Sequence, residues 1–433
     1  MNEREPGMGW RNVRRAAQAV AARALAFTDE RAGGERERPL RILFCIPNLA
    51  YGGAERQLSY LAAELASMGH EVHVASSRGG PNLDRLKSAG AVWHRLSGAR
   101  RGRPAIFSGP LRLFRAFAIF FRLVGLMRRL RPDVVQTILA PMDMLGGAAA
   151  LLTRTPWVLK ECSCALVYTT DWKYWFRFAF GRLSDAVVSN SEGGYDYWRT
   201  ARGVRTLHVI PNGLPLGEIA ESDSGSLSGF AFGPEEKVVL YAGRADIGKN
   251  VEGLIDALAR IAGEVRFTAV ICGDGPHRPG LERMARELGI AHRVVFKGYV
   301  DNLWDLMKRA DAFVSMSRCE GRPNVVLEAM ACGCPLVVSD IPAHREILDE
   351  HTALFTALDR PEETAAALKA ALVRGDAARR RARAARERAE GWPIETMARL
   401  YEELYLCLLG EARASNDVEI VSGGEVAQVG GCE

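Results

Sequence analysis

The chain has 433 residues, more than one hydrophobic core usually serves, and this length indicates two domains of ordinary size. Its 48% hydrophobic and 25% charged residues are typical of a globular protein, and a net charge of +5 is too small to argue for a nucleic-acid partner. Nine cysteines, an odd number, favour free thiols in a reducing, cytoplasmic setting. No secretory signal and no run of about 18 or more apolar residues is visible, so neither export nor a membrane span is predicted.

The order of the predicted elements divides the chain into five segments. A basic leader over residues 1–38 has no core of its own, although a short helix is expected at 11–27. The leader precedes a first domain at 39–214, a second domain at 215–385, a crossover helix at 386–412 and a tail at 413–433 that is expected to be disordered. The domain boundary follows a Pro-Asn-Gly turn, where a Ser/Gly-rich stretch without periodicity begins.

The first domain opens with a predicted strand, a glycine loop, a helix and a second strand. The apolar run at 41–46 predicts the first strand, and residues 71–75 predict the second. Apolar residues at helical spacing predict a helix over 54–68 between them. This βαβ pattern is typical of a parallel sheet, and further short strands extend it at 133–137, 157–160, 186–189 and 207–210.

The second domain repeats the alternation of strands and helices. Its strands are predicted at 238–242, 267–272, 294–297, 312–315 and 335–339, and its helices include 250–261, 301–309 and 361–373. Two such series predict an α/β fold with two doubly wound, Rossmann-like domains that face each other across a cleft.

Two carboxylates, Glu320 and Glu328, lie eight positions apart around the start of a predicted helix. Gly321 permits a tight turn, and Pro323 suits the first turn of a helix, where its missing N–H costs nothing. Glu320 is then expected in the loop before the helix and Glu328 about one turn or more inside it. Both can face an anionic, hydroxyl-rich ligand over the helix N-terminus. The alternative is a solvated helix start with two surface glutamates.

Glycine-containing loops follow several predicted strands, at the sheet edge where open α/β folds bind ligands. They are Gly52–Gly53 in the first domain and, in the second, residues 243–249, 273–276, 298–300 and 317–321. Arg244 and Lys249, in one of these loops, are two cations that can clamp a diphosphate. Each loop alone is common, and a surface Arg or Lys is usually just solvated. Their joint order along the chain is what indicates a single site.

No metal site is predicted. The chain has two C-x-C pairs, which lack the two-residue gap and the histidines usual at zinc sites: Cys162 with Cys164, and Cys332 with Cys334. Small buried side chains are the preferred interpretation of these cysteines.

Over most of residues 40–385, the sequence resembles the retaining, group 1 nucleotide-sugar glycosyltransferases of the GT-B fold. The matching text is NLAYGGAERQLSYLAAELASMGHEV, VIPNGL, LYAGRADIGKN, ICGDGP and the stretch from VVFKGYV to CPLVVSD, followed by Arg345 and Glu346. The resemblance implies a C-terminal helix that crosses back to pack on the first domain. It also implies an enzyme of the hexosyltransferase type, active in polysaccharide or cell-envelope biosynthesis, that needs no cofactor and no bound metal.

By position, the resemblance assigns catalytic roles to Arg244 and Lys249, which would hold the donor diphosphate, and to Glu320, which would contact the donor sugar. Glu328 would bind the ribose hydroxyls, and Gly52–Gly53 would close on the phosphates. Backbone at 298–300 would meet the base. The complete set of further donor contacts implied by the resemblance is Gly243, Gly273, Gly298, Tyr299, Val300, Gly321, Arg322, Pro323, Asn324 and Val325.

The reaction implied is transfer of a sugar from a nucleoside diphosphate sugar to a polysaccharide or a lipid-linked acceptor. Retention in the family is explained by attack on the same face of the sugar, so Glu320 would assist through charge and position and not as a nucleophile. Two alternatives remain open: a non-catalytic two-domain protein that binds sugars or nucleotides, and an epimerase of nucleotide sugars. The base, the sugar, the acceptor and the linkage are not specified by the sequence.

One departure from the family pattern lies at residues 158–163, where many relatives carry a histidine. Here Lys160 or Glu161 can point into the cleft, but a structural salt bridge is an equal alternative. His70 is expected to be structural, and His344 can be either structural or part of the site.

The stretch 111–130 combines arginines with apolar side chains. Helical spacing places Arg112, Arg115, Arg122 and Arg129 within about a quarter of the helix circumference. So many arginines argue against a membrane span. Peripheral contact with an anionic membrane, near a lipid-linked acceptor, and a core helix with a solvated arginine strip are both open interpretations. The expected location is therefore the cytoplasm, with the inner membrane face as a candidate place of attachment.

Overall fold

The computed structural model describes residues 38–97, 110–163, 172–201, 203–223, 230, 232–233, 236–301, 303–373 and 375–410. The leader except Arg38, the helix expected at 11–27 and the tail expected at 413–433 lie outside the described residues. Within them the chain forms two α/β domains, as the alternation of strands and helices predicts.

The first domain is built on a parallel seven-stranded sheet in the order β3-β2-β1-β4-β5-β6-β7. Its strands are β1 Arg41–Asn48, β2 Glu71–Arg78, β3 Val92–Arg95, β4 Val134–Ile138, β5 Trp157–Glu161, β6 Ala186–Ser189 and β7 Leu207–Val209. Its helices are α1 Gly53–Ser67, α2 Asn82–Ser88, α3 Pro110–Leu130, α4 Ala140–Thr153, α5 Trp172–Gly181 and α6 Glu192–Arg199. Strand order reverses between β1 and β4, which places a ligand crevice outside the carboxyl end of β1.

The second domain has a parallel six-stranded sheet in the order β10-β9-β8-β11-β12-β13. Its strands are β8 Lys237–Ala242, β9 Phe267–Cys272, β10 Val294–Gly298, β11 Ala312–Ser315, β12 Leu336–Ser339 and β13 Leu354–Thr356. Its helices are α7 Leu216–Glu221, α8 Val251–Ile261, α9 Arg278–Glu287, α10 Leu303–Arg309, α11 Asn324–Ala331, α12 Pro342–Ile347, α13 Pro361–Val373 and α14 Gly375–Ala389. The order reverses between β8 and β11, directly before the loops that carry Lys249 and Glu320.

Helices cover both faces of each sheet, so the central strands are apolar along their length. In β1, Ile42 and Phe44 pack with α1 on one face, while Leu43 and Cys45 pack on the other against α3 and α4. The same two-sided burial occurs in the second domain, where β8 contributes to both core clusters. This explains why continuous apolar runs, not alternating ones, mark the strands in the sequence.

The last described helix, α15 Ile394–Leu408, returns to the first domain, as the fold resemblance predicts. The chain crosses where Leu214 N donates to Trp392 O and Ile394 N donates to Leu214 O, both at 2.9 Å. Tyr401 and Tyr405 of α15 are fully buried in the first-domain core against α1. The predicted crossover segment 386–412 also contains the end of α14, which packs on α11 of the second domain.

Three helices or strands of the fold are hard to predict from the sequence. Strands β3 and β13 have four and three residues, and β3 lies at a sheet edge with partly exposed side chains. Helix α14 is rich in arginine, and its buried side consists of alanines alone: Ala378, Ala382, Ala385 and Ala389. Because alanine contributes little apolar contrast, helical periodicity is hard to detect there.

Six described cysteines are free thiols, as the odd cysteine count predicts, but Cys319 is disulfide-bonded, so the expectation is wrong at that position. Across the described part of the chain, no helix combines the length and apolar character that crossing a bilayer requires.

Candidate active site

The loops after β8, β9 and β10 pack against one another through their glycines. Gly243 N donates to Cys272 O at 3.0 Å, and Gly273 N donates to Gly298 O at 2.6 Å. A Cβ on Gly273 would lie 2.0 Å from Gly243 O, and Gly273 has a φ of +116°. Only glycine fits such a contact. The predicted glycines therefore bring three strand ends together at one edge of the second domain.

Lys249 and Glu320 form a direct ion pair between the loops after β8 and β11. Ser317 Oγ donates a hydrogen bond of 2.7 Å to Glu320 Oε1. Burial raises the pKa of Glu320, but Lys249 and Ser317 outweigh that effect and leave the pKa below its ordinary value. Two of the three predicted catalytic side chains are therefore in contact, and Glu320 is an anion at neutral pH.

Arg244, the third predicted catalytic residue, occupies the same loop as Lys249. Its Nε lies 3.0 Å from Asp246 Oδ2, and its side chain is 66% exposed. The backbone is held because Tyr241 Oη donates to Arg244 O at 3.1 Å. The side chain thus lies at the rim of the site, where it can reorient toward an anion at little cost.

Helix α11 begins at Asn324, directly after Pro323. Glu320 consequently lies in the preceding loop, and Glu328 is the fifth residue of the helix, as the positions of Gly321 and Pro323 predict. Glu328 is fully buried. This burial excludes the alternative of a solvated helix start with two surface glutamates.

Glu328 meets Arg56, which comes from α1 of the other domain. Arg56 Nη2 lies 3.1 Å from Glu328 Oε1. The Trp304 side chain also lies close enough to lower the pKa of Glu328 through a hydrogen bond, although its geometry is not ideal. Burial raises the pKa of Glu328, and the charge of Arg56 offsets part of that rise. The carboxylate therefore retains hydrogen-bond capacity for hydroxyl groups.

The N-termini of α1 and α11 face each other across the domain boundary. Gly52 is the N-cap of α1, and a Cβ on Gly53 would lie 2.8 Å from Asn324 Nδ2. Asn324 Oδ1 accepts a hydrogen bond of 2.7 Å from Asn212 Nδ2 in the interdomain linker. Two helix N-termini in one place favour an anion through their dipoles, and at α1 the Glu55 carboxylate already lies beside Gly52.

At the β10 end of the cleft, Tyr299 stacks on Tyr51 of the first domain. The ring centroids are 4.4 Å apart with an interplanar angle of 13°. Val300 follows and packs on the core of the second domain. The two tyrosines link the loop before α1 to the loop after β10, where the resemblance places the base.

At the other end of the cleft, Gly321 lies against the first-domain loop after β5. A Cβ on Gly321 would be 2.5 Å from Cys162 O. Arg322 is buried, stacks on Trp392 at 4.7 Å, and its Nη1 lies 3.3 Å from Glu346 Oε1. Arg322 therefore forms part of the domain contact through its side chain. Nε and Nη2 of Arg322 are buried without a hydrogen-bond partner among the described residues, so the guanidinium also retains free N–H groups. Pro323, Asn324 and Val325 follow it at the start of α11.

The contact at Glu346 also joins the domains. Its Oε2 accepts a hydrogen bond of 3.3 Å from the backbone N of Glu192 at the start of α6. Burial and the nearby Glu192 raise the pKa of Glu346 to about 7, although Arg322 opposes that rise. The carboxyl thus titrates near neutral pH within a domain interface.

Lys160 and Glu161, at the departure from the family pattern, have different environments. Glu161 is fully buried, with Oε2 2.6 Å from Arg177 Nη1 and 2.9 Å from Trp198 Nε1. Glu161 therefore forms a structural ion pair with Arg177, which is one of the two alternatives that the sequence leaves open. Lys160 is 4% exposed, its Nζ lies 4.9 Å from the Tyr401 ring centroid, and burial lowers its pKa.

Both His70 and His344 make hydrogen bonds within the fold. His70 accepts from Leu40 N at 3.2 Å and contacts Glu402 at 3.1 Å, which ties β1 to α15. His344 is fully buried between Ser315 and Ser339. No group of three or more His, Cys, Asp or Glu side chains suited to a metal ion occurs among the described residues.

Three cleft residues were not singled out by the sequence reasoning: Tyr51, Arg56 and Asn212. Tyr51 directly precedes Gly52–Gly53, and Arg56 lies one helical turn after them. Positions three and four apart share a helix face. The neighbourhood of the glycine pair was thus the available signal for Tyr51 and Arg56.

Comparison with known families identifies one family in each domain. Residues 229–388 match the family described as glycosyl transferases group 1, and residues 51–218 match glycosyltransferase family 4. The first-domain segment contains β2 to β7, the second-domain segment contains β8 to β13, and together they include Arg56, Lys249, Glu320 and Glu328.

Individual relatives agree with this match. The lipopolysaccharide core biosynthesis glycosyltransferase LpsE of Rhizobium meliloti is 28% identical over 287 residues, 66% of this chain and 75% of that protein. The GalNAc-α-(1→4)-GalNAc-α-(1→3)-diNAcBac-PP-undecaprenol α-1,4-N-acetyl-D-galactosaminyltransferase of Campylobacter jejuni is 27% identical over 342 residues. This alignment covers 78% of this chain and 89% of that protein. The crystal structure of Anabaena HepE with UDP and glucose superposes with a TM-score of 0.73 at 21% identity, covering 84% of this chain and 99% of that one. The chain belongs to the group 1 glycosyltransferases, enzymes of the GT-B fold.

Proposed function

We propose that this enzyme moves a sugar from a nucleoside diphosphate sugar to a glycan or lipid-linked acceptor, with retention and without a metal ion. The observation that carries the proposal is Glu328, a fully buried carboxylate at the domain boundary whose partners among the described residues are Arg56 of the other domain and Trp304. Two carboxylate oxygens together can accept about four hydrogen bonds, so Glu328 can accept more from a ligand besides these two contacts. The two adjacent hydroxyl groups of a ribose can each donate a hydrogen bond to one oxygen of such a carboxylate.

The remaining groups fit the charged part of such a donor. Lys249 and the paired N-termini of α1 and α11 provide positive potential around the position of Gly53 and Asn324. Arg244 at the rim can turn inward to the same position. Fixed cations and helix N-termini stabilise a departing diphosphate electrostatically, the role that a metal ion plays in other transferases.

Glu320 is suited to positioning and charge stabilisation. Breaking the bond to the diphosphate builds positive charge on the sugar, and the Glu320 carboxylate, held by Lys249 and Ser317, is ionised. Its pairing with Lys249 reduces its strength as a nucleophile. We therefore assign retention to attack on the same face of the sugar, with the leaving phosphate taking the proton of the acceptor hydroxyl.

The comparisons support the two substrate classes. Anabaena HepE was solved with UDP-glucose. The relative from Campylobacter jejuni is named for an acceptor linked to undecaprenol through a diphosphate. We extend these classes, and not the particular sugars, to the present chain.

An exposed apolar surface on the first domain supports a membrane-bound acceptor. Helix α3 packs on α4, and α4 packs on α5. The aromatic face, as we name it, consists of exposed side chains on or next to these helices: Phe114, Phe117, Phe121, Leu151, Leu152, Trp175, Phe176 and Leu183. Exposed arginines of α3 accompany it, at 115, 122, 128 and 129. Apolar side chains with arginines favour the surface of an anionic bilayer.

The test of the proposed function is product analysis with a panel of UDP-, GDP- and ADP-sugars. We expect one donor to release its nucleoside diphosphate in the presence of a polyprenyl-diphosphate-linked glycan, with an α-linked product from an α-linked donor, also in EDTA. Conversion of the donor to an epimer without acceptor would identify an epimerase. Binding without turnover across a range of acceptors would identify a non-catalytic protein.

A further inference from the structure

Arg322 has a buried guanidinium that pairs with the protein through one nitrogen. Its side chain is 4% exposed and stacks on Trp392, and Nη1 lies 3.3 Å from Glu346 Oε1. Nε and Nη2 are buried and have no hydrogen-bond partner among the described residues. These two nitrogens form an edge of the guanidinium whose N–H bonds run parallel, which matches the two oxygens of one carboxylate. We call this edge the Arg322 fork.

Arg345, in the same domain, shows what fills the equivalent edge of another arginine. Its Nε lies 2.7 Å from Asp340 Oδ1, its Nη2 lies 2.9 Å from Asp340 Oδ2, and its Nη1 contacts Glu350. The side chain of Arg345 is 28% exposed, so water could replace these partners, whereas Arg322 is almost out of reach of water. An unpaired charged donor costs more free energy the more deeply it is buried. Of the two arginines, the one that needs a second carboxylate more is therefore the one that lacks it.

Two carboxyl groups lie near Arg322, and neither occupies the fork. Glu346 is engaged by Nη1 of Arg322 and by the backbone N of Glu192. The Glu192 side chain is close enough for its charge to act on Arg322, but the two form no ion pair among the described residues. Because a guanidinium stays protonated, the fork remains a binding place for an anion.

The fork lies at the sugar end of the cleft. Arg322 comes two residues after Glu320, which the proposed function places at the donor sugar. It directly follows Gly321, whose Cβ position is 2.5 Å from Cys162 O of the first domain. Arg322 therefore stands in the contact between the domains, where opening of the cleft exposes the fork and closure encloses it.

Two asparagines of the first domain have unpaired acceptors on the same domain contact. Asn190 and Asn212 are buried, and the Oδ1 of each has no hydrogen-bond partner among the described residues. Asn190 lies two residues before Glu192, which bonds to the carboxyl group that holds Arg322. Asn212 Nδ2 donates to Asn324 Oδ1, two residues after Arg322. Buried polar atoms normally have partners, so unpaired donors and acceptors on one contact point to a ligand that has both an anionic group and hydroxyls.

We propose that the Arg322 fork binds the carboxylate of an acidic sugar, a uronic acid, and that Asn190 and Asn212 accept hydrogen bonds from its hydroxyls. The inference rests on the proposed function and deepens it, because it names the class of sugar. A carboxylate fits better than a phosphate, since a second negative charge would be repelled by Glu192 and Glu346. The uronic acid is either the sugar that is transferred or the sugar at the end of the acceptor, and the experiment separates these two sources.

The first arm of the experiment uses calorimetry on the full chain to compare UDP-glucuronate with UDP-glucose, and GDP-mannuronate with GDP-mannose. If the transferred sugar carries the carboxylate, we expect one acidic donor to bind roughly 10- to 150-fold more tightly than its neutral counterpart, the range for hydrogen bonds to charged groups. The second arm saturates the protein with the nucleoside diphosphate that binds best and compares methyl glucuronide with methyl glucoside by NMR titration. A preference confined to this arm assigns the carboxylate to the acceptor.

Two variants of Arg322 separate the fork from the charge. Arg322→Met keeps a long side chain over Trp392 and should abolish the preference for the acidic ligand. Arg322→Lys keeps the charge but makes a point contact, so it should retain only a small part of that preference. Both variants should bind the nucleoside diphosphate alone as the wild type does. Arg345→Met is the matched control, because Asp340 already fills its fork, and it should leave the preference unchanged.

Equal affinities for acidic and neutral ligands in both arms would overturn the proposal, because the fork would then hold only water. An equal loss of nucleoside diphosphate and nucleotide-sugar binding in Arg322→Lys would contradict it as well, since the fork would then serve the diphosphate or only the domain contact. Loss of the acidic preference in Arg345→Met to the same extent as in Arg322→Met would also refute it. Wild-type protein that binds none of the nucleotides would instead overturn the proposed function.

Discussion

Arg56 Nη2 lies 3.1 Å from Glu328 Oε1, and the two residues belong to different domains. Glu328 is fully buried, so the ion pair is screened little by solvent. In the absence of a ligand, the first domain thus supplies a positive charge that opposes the burial-driven rise in the pKa of Glu328. Closure of the two domains is therefore coupled to the protonation state of Glu328.

A double-mutant cycle tests this coupling. We expect Arg56→Met and Glu328→Gln to interact by about 1–3 kcal/mol in the free energy of unfolding of the ligand-free protein, because each leaves the other group unpaired. Urea unfolding of the wild type, both single variants and the double variant measures the interaction. Additivity within about 0.5 kcal/mol would show that the contact contributes nothing to closure.

Lys249→Met separates the catalytic and structural effects of the loop cation. We expect the rate of sugar transfer to fall by about 100- to 1000-fold, as for loss of one electrostatic group in the transition state. Stability should also fall, by about 2 kcal/mol, because Glu320 loses its charged partner. Glu320→Gln in the same protein should restore most of the stability but none of the activity. Full activity in Lys249→Met would remove Lys249 from the site.

Gly321→Ala tests the approach of the two domains beside Glu320. A Cβ at this position would lie 2.5 Å from the backbone O of Cys162, so the cleft cannot close fully. We expect a larger radius of gyration in X-ray scattering and at least a tenfold loss of transfer rate, since misplacement by about 1 Å costs about 100-fold. Gly193→Ala is the matched control, because nothing lies within 4 Å of its Cβ position. Normal rates in both variants would contradict tight closure at this point.

Glu346 makes the stability of the domain interface depend on pH. Burial is the main cause that raises the pKa of Glu346 to about 7. The stabilisation that the neutral carboxyl group contributes to the folded state is therefore fully present below the unfolded pKa of 4.5, and it is lost as pH rises through 7. Relative to Glu346→Gln, the wild type should lose about 3 kcal/mol between pH 4.5 and 8. Urea unfolding at several pH values gives this difference. Glu350→Gln is an exposed control that should follow the wild type over the same range; a flat difference for Glu346→Gln would refute the assignment.

Flotation with liposomes tests the aromatic face. We expect binding to vesicles that contain phosphatidylglycerol and little binding to pure phosphatidylcholine, with affinity falling as salt rises. Phe117→Ser with Phe121→Ser should weaken binding at least tenfold, because the exposed rings no longer enter the interface. Leu288→Ser with Val373→Ser removes exposed apolar side chains from the second domain and should leave binding unchanged. Equal vesicle binding by both double variants would exclude the aromatic face as the surface that contacts the membrane.

Much of the fold follows from local patterns. The central strands are continuous apolar runs because helices cover both faces, and glycines mark the strand ends, so the two series of β and α elements were predictable. Strand β13 and helix α14 were not predictable. Strand β13 has only three residues, and the buried side of α14 consists of alanines, which differ little in hydropathy from their neighbours. The course of α15 came from resemblance, because no local feature of Tyr401 or Tyr405 states which domain they pack on.

Part of the site was also predictable from local sequence patterns. Gly321 and Pro323 fix where α11 begins, which places Glu320 and Glu328 by local geometry. The Lys249–Glu320 pair joins residues 71 positions apart, and Arg56–Glu328 joins two domains. Such contacts depend on tertiary packing, so the burial of Glu328 and the titration of Glu346 became visible only in the structure.

The return of α15 also affects how the protein is made. The first domain buries Tyr401 and Tyr405, which are synthesised after the entire second domain. During translation, the second domain can fold as soon as α14 has left the ribosome, whereas the first domain still exposes the surface that α15 will cover. The domain that begins the chain is therefore the last to be completed, and a chain truncated after residue 390 should retain a folded second domain beside an incomplete first one.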